Sequence, residues 1–128
     1  MTGKKYSFEQ IEKKNLRTFD PKVSLNSNST FRFNAAMCRD YELLELPYAA
    51  LYFDRESMAI AFQFLPSKCP DAFTVSHKSN RGSVAAIAFF RQEKLDSRDY
   101  KGQYTPELYD DPDLGKMFVI CLKRAENN

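Results

Sequence analysis

Residues 77–83, His-Lys-Ser-Asn-Arg-Gly-Ser, hold the chain's single histidine, two cations, two serine hydroxyls and a glycine. These residue types suit phosphate contact. Lys78 and Arg81 supply charge-assisted donors, Ser79 and Ser83 supply hydroxyls, and Gly82 permits close backbone approach. The apolar run Val84–Phe90 follows directly. Its length and alanine content predict a helix capped by Ser83, whose unpaired N–H groups would suit an anion. The segment is therefore expected first as a helix-capping loop and second as a phosphate site. The chain contains neither GxxxxGK[ST] nor GxGxxG, so no nucleotide-binding fingerprint is present.

A second constellation mixes aromatics with cations. Tyr48 and Tyr52 alternate along one strand-like stretch that leads to Arg55, and Arg32 stands between Phe31 and Phe33. Stacking platforms interleaved with phosphate contacts are what a single-stranded nucleic acid requires. The competing expectation is a tyrosine-rich core edge with hydroxyls reaching water.

Catalytic chemistry finds less support. Any Ser/His/Asp set would have to use His77, and there is no GxSxG elbow. His77 is expected as a strand-end histidine. Asp110, Asp111 and Asp113 surround Pro112 without the order or closing glutamate of a calcium loop, and are expected to form a solvated turn. Cys38, Cys69 and Cys121 are odd in number and lack a CxxC pair, so free thiols are expected, with Cys38 and Cys121 in the core. No catalytic residue, metal or cofactor is expected.

The net charge of +2 is far from that of a strongly basic nucleic-acid binder, but it is zoned. Residues 1–22 and 67–94 are each +3, while 23–66 and 95–128 are each −2. The longest apolar run, VAAIAFF, is too short to span a bilayer, and the polar start resembles no leader, so a cytoplasmic protein is expected.

The elements that must position these residues are read from periodicity. SFEQ (7–10) is a capping box that predicts a helix through about Lys14 in an arm over 1–21. Over 22–34, Val23/Leu25 and Phe31/Phe33 alternate around the turn-forming NSNS. Asn34 is placed to cap a helix through Leu46, which Pro47 ends. YAALYFD and MAIAFQFLP read as two strands of a hairpin joined at Asp54–Ser57, with the bulky Met58, Ile60, Phe62 and Phe64 on one face. AFTVSHK predicts another strand, 96–115 an irregular acidic stretch, and GKMFVICLK a last, central strand. The expected fold is α+β: one domain over 22–128, a twisted, mostly antiparallel sheet with two packed helices and the short helical arm.

The strand–helix–hairpin order carried by STFRFNAAMCRDYELLEL and YAALYFDRESMAIAFQFLP resembles the AbrB/SpoVT class of bacterial DNA-binding modules, and also a pattern in small bacterial and phage proteins. That class has a proline where Asn34 stands and a Gly-Asp before the hairpin strand, where this chain has Leu46-Pro47-Tyr48. The resemblance implies a dimer that reaches the DNA backbone through Arg32 and Arg39, beside the phosphate-repelling Asp40, Glu42 and Glu45. In plan, the chain is also similar to the Whirly proteins and single-stranded-DNA-binding coactivators, which implies a sheet-face site of Tyr48 and Tyr52 with Lys78 or Arg81. A non-enzymatic nucleic-acid-binding or regulatory module, acting as a homo-oligomer, is the expected function. The alternative is a structural or protein-interaction domain. Nucleic-acid binding demands that Arg32, Arg55, Lys78, Arg81 and Arg91 converge on one surface.

Overall fold

The structure is a computed structural model and describes residues 6–10 and 20–125. Nine strands form one antiparallel sheet: β1 (Val23–Leu25), β2 (Thr30–Phe33), β3 (Tyr48–Asp54), β4 (Ala59–Leu65), β5 (Phe73–Lys78), β6 (Arg81–Ala85), β7 (Gly102–Tyr104), β8 (Glu107–Asp111) and β9 (Gly115–Cys121). Their order is β7-β1-β2-β6-β5-β3-β4-β9-β8. Among the described residues the two α-helices, α1 (Ala35–Asp40) and α2 (Ile87–Gln92), have six residues each. The protein is therefore mostly β, with far less helix than the expected α+β plan. No helix among the described residues is long and apolar enough to cross a membrane.

The edge strands β7 and β8 are separated in sequence only by Thr105 and Pro106. A two-residue link between opposite ends of the strand order forces the sheet to curl into a half-barrel. Tyr104 fastens this junction, its hydroxyl donating to the Tyr100 carbonyl and accepting from the Lys123 N–H at 3.2 Å. β5 forms the corner. Phe73 and Thr74 pair with Ala49 and Tyr48 of β3, whereas Val75–Lys78 pair with β6.

Curling brings the inner faces together around aromatic rings. Phe62 of β4 meets Phe31 and Phe33 of β2 edge-on, at centroid separations of 5.0 and 5.2 Å. Phe90 of α2 stacks on Phe31, and Phe89 meets Phe53 of β3. Met37 and Cys38 bring α1 into the same core.

The β1–β2 pair and the β3–β4 hairpin form as expected, and the Asn34 side chain caps α1 by accepting from the Met37 N–H at 2.9 Å. However, α1 stops at Asp40 instead of Leu46. Glu42 takes a left-handed conformation (φ 56°), which turns Leu43 into the core and leaves Leu44 41% exposed. Asp54 accepts from the Glu56 and Ser57 N–H groups, but the four-residue connection is Arg55–Met58, one residue later than expected: Asp54 pairs with Ala59 as the last residue of β3, and Met58 (φ 54°) belongs to the turn and not to the strand.

The helix expected from the Ser83 cap through the Val84–Phe90 run is corrected in its first part. Residues 81–85 are a strand paired on both sides, with Gly82 and Val84 facing the core and Arg81, Ser83 and Ala85 facing out. Two hydrogen-bonded neighbours outweigh the alanines' helix preference, and α2 starts only at Ile87. The irregular stretch expected over 96–115 is also corrected, since it supplies both edge strands. Their polar composition hid them, and β8 is acidic as edge strands often are. β9 is flanked by β4 and β8, one strand in from the edge. In the expected arm helix, Ser7–Gln10 have no helical assignment, and the remainder lies outside the described residues.

Candidate functional site

His77–Ser83 is a hairpin tip. Lys78 pairs with Arg81, and the two residues between them, Ser79 and Asn80, have φ of 52° and 62°. Two consecutive left-handed residues define the tight turn whose twist matches its strands. Ser83 is therefore a mid-strand residue and not a helix cap, and there is no helix N-terminus here to hold an anion.

The outward positions of four strands lie in register. Arg32 of β2 stands between Ser24 of β1 and Ser83 of β6, and Ser83 faces Ser76 of β5. Arg81 and Lys78 lie one outward position farther toward the tip. Together they line an open groove of about 680 Å³, with Asn34 at one end. Among the described residues, no acidic side chain lines it. The ion pairs among the described residues, Arg39–Asp40, Arg55–Glu93, Arg98–Asp96 and Arg124–Asp99, leave all three groove cations without a carboxylate.

Tyr48 faces the same way, since it pairs with Thr74, an outward residue of β5 next to Ser76. It lies beyond the corner and outside the groove lining. Tyr52, four residues farther along β3, donates its hydroxyl to Gln63 Oε1 at 3.1 Å. Arg55 does not join the cluster. Its guanidinium donates to the Glu93 carboxylate at 3.0 Å and carbonyl at 2.7 Å, and lies over the Phe53 ring. Arg39 is taken up by Asp40 on α1, and Arg91 lines a different groove, so of the five cations required on one surface only Arg32, Lys78 and Arg81 converge.

Ser83 was expected as a phosphate-contacting hydroxyl and helix cap, whereas Ser24 and Ser76 were not singled out from sequence. Each alternates with inward residues, so strand periodicity marks them as outward, but only strand order unites them. Beneath the groove, His77 lies on the inner face opposite Gly82, with Nε2 3.2 Å from the Leu46 carbonyl. Burial pushes the Cys38 thiol up, partly offset by a hydrogen bond from the Gly82 backbone. Cys121, expected in the core, is exposed instead, because its register places it on the outer face opposite Ala59. Asp111 accepts from the Asp113 and Leu114 N–H groups, so it organises a turn. No cluster of three or more metal-ligating side chains occurs among the described residues.

Compared with known proteins, the chain matches no family model, no curated protein and no solved structure.

Proposed function

We propose that the protein is a non-enzymatic nucleic-acid-binding module whose outer sheet face, over β1, β2, β6 and β5, contacts the phosphate backbone. One observation carries this: Arg32, Lys78 and Arg81, from three strands, converge on a groove edged with hydroxyls and lacking carboxylates. A guanidinium matches a phosphate through two parallel N–H donors, and serine hydroxyls add neutral donors to the same oxygens. Tyr48 stands at the neighbouring register position, where a base leaving the groove can stack. Action as a homo-oligomer belongs to the same proposal.

A specific observation favours the alternative, a protein-interaction domain. β8 is an open edge strand on which Leu108 is 51% and Tyr109 47% exposed. An extended segment could add to that edge.

Anisotropy of labelled single- and double-stranded oligonucleotides, titrated from low to physiological salt, separates the two. Binding through the groove weakens steeply with salt, each single-strand phosphate contact contributing roughly 0.7 to the log–log slope. Lys78→Ala with Arg81→Ala then removes roughly 1.4 from that slope. Absence of binding at low salt would sink the nucleic-acid role and leave the β8 edge as the working surface.

A further inference from the structure

A second basic groove, of about 560 Å³, lies beside α2 and is lined by Arg91, Lys94, Arg98, Asp96, Ile87 and the serines of the β1–β2 turn. Arg98 is neutralised by Asp96 at 2.8 Å, but no carboxylate among the described residues pairs with Arg91 or Lys94. This groove and the first lie end to end along the same two strands. Arg32 lines the first and Ser29 the second, three residues apart on the β2 chain. Ser83 lines the first and Ile87 the second, four residues apart through β6.

The two grooves do not lie on one flat surface. Phe31 and Arg32 are neighbours on β2 and point to opposite faces. Phe90 of α2 stacks on Phe31, so α2 lies on the inner side while Arg32 lies on the outer side. A path from Arg32 to Arg91 must therefore turn round the end of β2. Duplex DNA, with a persistence length of about 50 nm, resists such a turn, whereas a single strand follows it freely.

Resting on the phosphate-contact role proposed above, we infer that Arg91 and Lys94 form a second phosphate subsite and that the ligand is a single-stranded nucleic acid bridging both grooves. The span follows from backbone geometry. Arg81 to the Arg32 level is about 7 Å, and Arg32 to Ser29 is about 10 Å, at about 3.3 Å per strand residue. Ile87 to Arg91 adds about 6 Å along the helix. These segments sum to about 23 Å, or about seven nucleotides at a spacing of 3.4 Å, and the turn round the end of β2 adds to that length. Ile87, 48% exposed between the cations, offers hydrocarbon surface to a base along this route.

The test is a length series of oligothymidylates, from about two to about fifteen nucleotides, on the full chain. Affinity is expected to climb until the oligomer spans both grooves and then to level off. Arg91→Ala with Lys94→Ala should lower the salt slope for a twelve-nucleotide strand by roughly 1.4, two phosphate contacts' worth. Its affinity loss between 50 and 200 mM salt then becomes about sevenfold smaller than the wild type's. The loss of slope should be smaller for a trinucleotide, which Lys78→Ala with Arg81→Ala still weakens. Lys116→Ala, outside both grooves, controls for net charge. If the Arg91/Lys94 variant keeps the wild-type slope on the long strand while the Lys78/Arg81 variant loses it, the second subsite is overturned and the first groove stands. If a duplex of equal length binds as tightly as the single strand, the bridging route is overturned. If the wild-type chain binds no oligonucleotide, the phosphate-contact role falls with it.

Discussion

Lys78 and Arg81 face each other across a two-residue turn, and both residues of that turn, Ser79 and Asn80, occupy the left-handed region. The tightness of the turn holds two cations side by side at the end of the groove. Serine is poorly suited to φ of 52°, and an Asn-Gly pair is the preferred sequence for this geometry. Ser79→Asn with Asn80→Gly should stabilise the fold by about 1 kcal/mol and raise Tm by roughly 4 °C. Because neither cation is altered, the salt slope of oligonucleotide binding should be retained, while loss of the groove-lining Ser79 hydroxyl affects affinity alone. A fall in Tm on thermal denaturation would show that the turn has another conformation.

Gly82 lies behind the same hairpin with an ordinary backbone conformation. A Cβ there would meet Val75 Cγ1 at 3.4 Å and His77 Cε1 at 3.5 Å, which is van der Waals contact and not a clash. Gly82→Ala should therefore stabilise by about 0.4–1 kcal/mol, chiefly by restricting the unfolded chain. Gly82→Leu overpacks the space beside His77 and should cost about 1–3 kcal/mol. Urea denaturation of the pair checks both signs.

Phe62 is fully buried and is the ring through which the two halves of the curled sheet meet. Phe62→Ala should cost about 3–5 kcal/mol, a large part of a domain's stability. A loss below about 1 kcal/mol would mean that the Phe31–Phe62–Phe33 contacts do not hold the halves together.

The Tyr104 hydroxyl satisfies the backbone of both Tyr100 and Lys123 where the sheet edges meet. Tyr104→Phe leaves the Lys123 N–H without this acceptor and should cost about 1–3 kcal/mol. Burial pushes the Tyr104 hydroxyl above its ordinary value of 10.0, with Tyr100 contributing in the same direction and the Lys123 backbone opposing. With the folded pKa raised, its contribution is complete below the unfolded pKa and is lost as pH rises through the folded one. Wild-type stability should therefore decline above about pH 10 more steeply than that of Tyr104→Phe.

Arg55 separates the proposed interface from ordinary surface charge. Its guanidinium is committed to Glu93 and to the Phe53 ring. Arg55→Ala should leave the salt dependence of oligonucleotide binding unaltered and change stability by less than about 1 kcal/mol, as for exposed ion pairs. A slope reduced by a full phosphate contact would bring Arg55 into the interface.

Local chemistry was legible in the amino-acid order wherever it is decided within a few residues. Alternation put Phe31 and Phe33 on one strand face and Arg32 on the other, and the folded sheet turned the two rings inward. Asn34 announced a helix start, and the polar residues from Asp54 announced the hairpin, although its connection is Arg55–Met58, one residue later than the sequence suggested. What failed was decided by partners distant in sequence. Val84 is a strand residue because Phe31 and Val75 flank it, a circumstance invisible to the helix preference of Ala85, Ala86 and Ala88. β7 and β8 read as irregular because a polar edge strand draws its order from its neighbour and not from its own hydrophobicity. The same division governs the candidate site. Arg32 and Lys78 were legible as polar positions on strands, whereas Arg81 read as part of a helix-capping loop and became a strand residue only in the folded sheet. Their union with Ser24, Ser76 and Ser83, and the exclusion of Arg55 and Arg91, depended on a strand order that places β2 beside β6 and bends β5 away toward β3. Side-chain direction is set by local backbone geometry, whereas adjacency is set by which hydrophobic faces find each other on folding. Only the second could decide which cations share a groove.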